Sequence, residues 1–216
     1  MISGALSPYE GALREQGRLS LVAADGTEVV LAIQRYLADA DPADATVLAR
    51  CVPPVLDVGC GPGRIVHALA SSGQVALGVD IAEAAVSLTQ QRGAPALSRD
   101  VFDRVPGEGR WPTVLLLDGN VGIGGDVAGL LRRAADLMAP GGAILAEASA
   151  PEPACDQVLQ VRFSGGGRPD GPQFPWSVVG RESLARHAGA VGLIPTDHWS
   201  AGGRDFLRLA RPTSSA

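Results

Sequence analysis

The spacing of apolar positions changes along the chain, and the changes predict its elements. Ser7-Pro8-Tyr9-Glu10 opens a short helix running to about Gln16. Residues 19–22 and 28–33 are apolar runs either side of Asp25-Gly26, a hairpin signal. Asp41-Pro42 or Asp44 caps a helix reaching about Arg50. From Val55 the pattern becomes regular. Short apolar runs at 55–58, 75–79, 96–97, 113–117 and 143–148 read as strands. Helical spacing at 64–71, with Ile65, Ala68 and Leu69 on one face, at 82–91 and from Asp126 to about Met138 separates them. Pro140-Gly141-Gly142 reads as the turn into the fifth strand. Further on, 157–163 alternates as a strand and 164–175 is a Gly/Pro-rich loop. Residues 181–190 form a helix, and 194–200 with 204–209 form a hairpin around Gly202-Gly203.

Strands apolar at nearly every position, spaced by amphipathic helices, predict a mostly parallel sheet covered by helices on both faces. The fold class is α/β, Rossmann-like, with five alternating β/α units and an antiparallel end. Residues 1–50 read as an N-terminal flap, a helix and hairpin packed on the core, and 51–216 as the ligand-binding part of what is overall one domain.

Composition narrows the chemistry. Hydrophobic residues make up 46% of the chain and aromatics only 4%, so the core must be built from Ala, Val and Leu. The formal net charge is −5, which argues against a nucleic-acid partner. The sequence contains no lysine, which excludes Schiff-base chemistry and a Walker A phosphate loop. Cys51, Cys60 and Cys155 have no Cys-x-x-Cys spacing, so no metal site is expected. An odd cysteine count, no leader-like pattern in Met1 to Glu10 and no membrane-length apolar run lead us to expect a cytoplasmic setting without a membrane partner.

Four segments carry the candidate chemistry. In Val55-Leu56-Asp57-Val58-Gly59-Cys60-Gly61-Pro62-Gly63-Arg64 a strand ends near an acid, glycines turn the chain, and a helix begins. Glycines let a ligand touch the backbone, and the free N–H groups of a helix start favour its polar groups. The nicotinamide fingerprint needs glycine at the sixth position, where Arg64 stands. Asp80 ends the second strand, 23 residues past Asp57, where an acid either accepts the two hydroxyls of a ribose or caps the next helix. Asp100, after the third strand, suits the exocyclic amine of an adenine, with the Val101 N–H for a ring nitrogen. Leu117-Asp118-Gly119-Asn120 ends the fourth strand. All four lie at carboxyl ends of strands, where open α/β sheets bind ligands.

These residues resemble the class I S-adenosylmethionine (SAM)-dependent methyltransferases. The likeness runs from about Val55 to Ser149, and Pro140-Gly141-Gly142 is similar to the family's turn before its fifth strand. The segment 117–126, with Phe102-Asp103-Arg104, looks like a group of actinobacterial members of unassigned substrate. The resemblance implies a seven-stranded sheet of order 3-2-1-4-5-7-6, strand seven antiparallel, with the 194–209 hairpin as strands six and seven and 157–163 as an insertion near the substrate mouth. It implies SAM as cofactor, with the methionine part on Gly59, Cys60, Gly61 and Gly63. Asp57 would meet the amino group, Asp80 the ribose, Ile81 the adenine face, and Asp100 and Val101 the adenine edge. Asp118 or Gly119 would flank the sulfonium. The expected partner is a small-molecule acceptor.

No residue stands out as a catalytic base. Substrate-side candidates are Asn120, Trp176 within Phe174-Pro175-Trp176, and His198; His67 and His187 read as surface or structural. Tyr9 and Arg14 are candidates for a flap over SAM, Arg14 facing the methionine carboxylate. Rival readings are a SAM-type enzyme that does not methylate, such as a cyclase or aminopropyl transferase, a non-catalytic SAM-binding partner protein, and a nicotinamide oxidoreductase.

Overall fold

The structure is a computed structural model that describes residues 6–165 and 170–212. Among the described residues, eleven strands form two sheets. Seven of them make the central sheet: β3 (Val55–Val58), β4 (Ala76–Asp80), β5 (Ala96–Ser98), β6 (Trp111–Leu116), β7 (Met138–Glu147), β10 (Ile194–Ala201) and β11 (Arg204–Ala210). Their spatial order is β10-β11-β7-β6-β3-β4-β5. β5 to β7 pair in parallel, while β11 runs antiparallel to both β7 and β10. In sequence terms this is 3-2-1-4-5-7-6, the order that the resemblance implies.

The inner strands β3, β4 and β6 and the second half of β7 are mostly apolar and buried because helices cover both faces there. Val114, Leu116 and Ile144 point into one core, against Leu130 and Leu131 of α6 (Val127–Leu137) and Leu184 of α7 (Arg181–Ala190). Leu115, Leu117 and Leu145 point into the other, against Val47 of α3 (Pro42–Leu48), Ile65 and Leu69 of α4 (Arg64–Ser71) and Val86 of α5 (Glu83–Gln91). Neighbouring residues alternate between the cores, as strand geometry requires. On α4 Ala68 is half-exposed, and Val66 takes the buried place expected of it. Asp41 starts α3 through a capping box in which its side chain and that of Asp44 each accept the other's backbone N–H. Asp126 caps α6 by accepting from the Gly129 N–H at 2.9 Å.

The second sheet, antiparallel and ordered β2-β1-β8-β9, departs from the sequence reading. The N-terminal hairpin is β1 (Leu19–Ala23) and β2 (Glu28–Val30), shorter than predicted because Ile33 buries itself at the start of a helix, α2 (Ile33–Leu37). The insertion strand is β8 (Asp156–Gly165), and it pairs with β1. The predicted 164–175 loop is shorter than expected. Part of it, 166–169, lies outside the described residues, and Phe174-Pro175-Trp176 belongs to a strand, β9 (Phe174–Val179). Pro175 fits there because β9 is an edge strand, where a missing N–H costs no ladder bond. The turn expected at 140–142 is an irregularity inside β7, whose pairing slips between Trp111↔Met138 and Thr113↔Ala143.

The small sheet roofs the carboxyl ends of the central strands. Leu19, Leu21 and Phe163 pack on α1 (Ser7–Glu15) and on Ala82 and Ala85 at the start of α5. A lone bridge between Ile123 and Trp176 ties β9 to the loop after β6. Among the described residues no helix is long and apolar enough to cross a membrane.

Candidate active site

Floor and roof enclose a cavity of about 330 Å³, a size at the lower end of small-molecule sites, about 300–1,000 Å³. Its floor is the glycine turn. Gly59, Gly61 and Gly63 all have positive φ, which side chains disfavour. Space matters as much as φ: a Cβ on Gly59 would lie 2.6 Å from Asn120 Nδ2, and one on Gly63 2.5 Å from Thr89 Cγ2. Gly59, Cys60 and Gly61 line the cavity, whereas Gly63 sits behind the turn as the residue before α4.

Asp57 is 3% exposed, lines the cavity and accepts no hydrogen bond from any described residue. Burial first, and then the neighbouring Asp80, push its carboxyl up to about 8. A buried acid left open toward a cavity suits a cationic group on a ligand.

Asp80, also buried, accepts from the Gly61 N–H at 2.9 Å and the Ala82 N–H at 2.8 Å. The helix-cap and ligand readings of this residue are compatible, since each carboxylate oxygen keeps capacity for a second donor. Burial raises its pKa and the backbone bonds oppose the rise. Ile81 is 39% exposed on the cavity wall, beside Asp100 and Val101. Asp100 accepts from the Phe102 N–H at 3.0 Å, and Val101 is anchored by Arg133, whose Nε donates to its carbonyl at 2.7 Å.

The end of β6 holds a feature the sequence reading missed. Asp118, with φ of 56°, meets Arg64 Nη2 at 2.6 Å, Arg204 Nη2 at 3.3 Å and Arg35 Nη2. Arg204 also grips Glu147 with two bonds, at 2.8 and 2.7 Å, and Asp44 at 2.7 Å, and Arg64 pairs with Asp44 as well. With Asp41 also 3.8 Å from Arg204 Nη1, three arginines thus face four carboxylates beside the cavity. Burial and the other two arginines lower Arg64 to about 10, so it stays charged at neutral pH. Asp118 lines the cavity, but its carboxylate is committed to arginines. Gly119, with φ of 87°, only starts the 3₁₀ turn at Asn120–Gly122. Chain positions from 35 to 204 meet here, and no local spacing announces that. The one local hint is Arg64, directly after the glycine turn.

Asn120 Nδ2 donates to the carbonyls of Val58 and Gly59, both at 2.9 Å. Carbonyls only accept, so the nitrogen must face them and Oδ1 is left for other donors. Trp176 lines the cavity, edge-on to Phe174 at 6.3 Å. Tyr9 lines it too, but Arg14 is on the solvent face of α1 and does not reach the site. His198 likewise falls outside the cavity: it lies on the outer edge strand β10, with its side chain 43% exposed and 3.9 Å from Asp205. His187 pairs with Asp156 at 3.0 Å, and His67 sits beside Ser71 on α4.

The sheet order, the glycine turn and the acids at the strand ends resemble those of the class I SAM-dependent methyltransferases, and a family model described as a methyltransferase domain matches residues 55–142. Solved structures extend the likeness to nearly the whole chain. A SAM-dependent methyltransferase from Bacteroides fragilis, in complex with S-adenosylhomocysteine, superposes with a TM-score of 0.77 at 21% identity, covering 97% of this chain and 95% of that one. The 1,6-didemethyltoxoflavin-N1-methyltransferase of Burkholderia thailandensis gives 0.60 at 20% identity, with 80% and 77% covered. The sugar N-methyltransferase KedS8 of a Streptoalloteichus species gives 0.55 at 19% identity, with 82% and 88% covered. Curated proteins give no sequence match.

Proposed function

We propose that this protein transfers a methyl group from SAM to a small-molecule acceptor. The observation that carries the reading is Asp57, an open carboxyl at the glycine turn within a cavity that also holds Asp80. SAM supplies an electrophilic methyl on a positively charged sulfur, and its amino acid end bears the cation that Asp57 lacks.

The chain's own residues bind and orient. Asp57 takes the ammonium, and the backbone of Gly59 to Gly61 closes on the methionine part where no Cβ intervenes. Asp80 accepts from the ribose hydroxyls, Ile81 covers the adenine face, and Asp100 with the Val101 N–H reads its edge. Asn120 presents Oδ1 beside the glycine turn. The arginine–carboxylate network fixes the end of β6, and with it the wall that orients the acceptor. Holding two reactants in line can supply on the order of 7–11 kcal/mol of the barrier lowering. No histidine lines the cavity, and its carboxylates are taken by the cofactor in this reading or, at Asp118, by arginines, so the reaction relies on positioning an acceptor that reaches the site unprotonated or sheds its proton readily. The N-terminal fifty residues act as part of the roof over both ligands.

A small acceptor agrees with the enclosed cavity, with the net charge of −5, and with the toxoflavin-type and sugar substrates named for two structural neighbours. Calorimetric titration with SAM, S-adenosylhomocysteine and NAD tests the cofactor: the first two bind and NAD does not. Failure of both SAM compounds to bind would overturn the reading. Product analysis separates methyl transfer, which releases S-adenosylhomocysteine, from cyclase or aminopropyl chemistry, which does not.

A further inference from the structure

The chain has only nine aromatic side chains, and six of them line this cavity: Tyr9, Tyr36, Phe102, Phe163, Phe174 and Trp176. The two cores flanking the central sheet are otherwise packed with aliphatic residues; they bury Trp111 and Phe206, with Trp199 packed against the second. Five of the six, all but Phe102, also belong to the third core, beneath the small sheet, so these rings both fill that core and face the cavity.

Four of the six form a continuous run. Tyr9 stacks on Phe163 with centroids 5.7 Å apart and planes 17° from parallel. Phe163 meets Phe174 at 5.1 Å, and Phe174 meets Trp176 edge-on at 6.3 Å. These rings come from α1, β8 and β9, all outside the 55–142 methyltransferase match. The charged cavity residues, such as Asp57, Asp80, Asp100 and Arg64, come from within the match, and the roof segments contribute none. The cavity thus divides into a charged half that fits the cofactor and an uncharged, ring-lined half.

We infer that the acceptor is a flat, uncharged aromatic or heteroaromatic molecule held against the run Tyr9–Phe163–Phe174–Trp176; this rests on the methyl-transfer reading above. Rings gain from stacked and edge-on contacts beyond the area they bury. A sugar or a zwitterion would lose its hydration against this wall, where only the Tyr9 and Tyr36 hydroxyls and the Trp176 N–H offer partners. Aromatic faces also attract organic cations, but no carboxylate of the roof is among the described residues that line the cavity.

The test uses the full chain saturated with S-adenosylhomocysteine and three neutral probes: 2-naphthol, its saturated counterpart decahydro-2-naphthol, and methyl α-glucoside. Affinities come from ligand-observed NMR and calorimetry, with choline as the cation control. The expected result is that 2-naphthol binds about tenfold more tightly than the saturated compound, and that the glucoside and choline bind more weakly still. Trp176→Leu, or Phe174→Leu if the first variant does not fold, should erase the preference for the flat ring while S-adenosylhomocysteine affinity holds. Equal affinity for the flat and saturated probes, tighter binding of the glucoside or choline, or no binding of 2-naphthol would overturn the inference. Failure of S-adenosylhomocysteine to bind would overturn the methyl-transfer reading instead, and the flat-versus-saturated comparison on the protein alone would still judge the wall.

Discussion

Arg64 reaches across from the first turn of α4 to donate to Asp118 at 2.6 Å, joining the glycine turn to the end of β6. The two residues are 54 apart in sequence, and Arg64 is only 2% exposed. Through Asp44, Arg204 and Glu147 the same contact reaches α3, β11 and β7.

Removing Arg64 should therefore cost far more than a surface charge. Arg64→Met leaves Asp44 and Asp118 short of a partner in a buried setting, and we expect a loss of about 3–5 kcal/mol in urea-unfolding experiments. Arg64→Lys should recover only part, because an ammonium cannot reproduce the fork that serves two carboxylates at once. A loss within 1 kcal/mol of zero, roughly the level of an exposed pair, would show that the network does not support the fold.

Cofactor binding should depend on pH through Asp57. Its carboxyl titrates at about 8 in the ligand-free protein, and the ligand's ammonium needs it ionised. Affinity for SAM should climb as pH rises toward 8, with proton release detectable by calorimetry in buffers of different ionisation heat. Above that it should fall as the amino group of SAM, ordinarily near 7.7–8.0, loses its own proton. Asp57→Asn should remove the rising limb and weaken binding at pH 8 by about 10- to 100-fold. An unchanged pH profile in this variant would sink the assignment.

The same residue makes an opposite prediction for the empty protein. The folded-state pKa of Asp57 lies above that of an unfolded aspartate, about 3.9, so its contribution to stability is complete below that value and is lost as pH rises through about 8. Asp57→Asn should raise the ligand-free Tm at pH 8 and bring little change at pH 4. Thermal scans across this window, with and without SAM, would expose a binding residue kept at the expense of stability.

Gly59 and Asn120 form a steric pair. Gly59→Ala introduces a Cβ 2.6 Å from Asn120 Nδ2 at a φ of 68°, and the backbone cost alone is about 1–2 kcal/mol. Asn120 should then lose its hold on the Val58 and Gly59 carbonyls, and SAM affinity should drop. Pairing Gly59→Ala with Asn120→Ala should return the steric part but not the backbone part, which a double-mutant cycle can read as a coupling term. Strict additivity would mean that the two residues do not share this contact.

The central sheet could be read from the sequence because the inner strands β3, β4 and β6 fall on short apolar runs, and Asp41 and Asp126 cap α3 and α6. The roof could not, because it is assembled from runs that look weak alone: three residues of β2, and β9 interrupted by Pro175. Only pairing β1 with β8, some 140 residues further along, turns them into a sheet. The acids Asp57, Asp80 and Asp100 were visible because they end strands next to turns. The partners of Asp118 were not, since Arg35, Arg64 and Arg204 meet through tertiary packing. His198 misled as a candidate because chemistry alone suggested it, while its strand lies at the far edge of the sheet.

The split of the cavity between a floor from residues 55–142 and a roof from segments before and after it has an evolutionary consequence. Substitutions in the ring-lined wall leave the cofactor acids untouched, so acceptor choice can drift while the methyl donor stays fixed. In the proposed reading the roof carries the choice of acceptor, and changes confined to it leave Asp57, Asp80 and Asp100 in place.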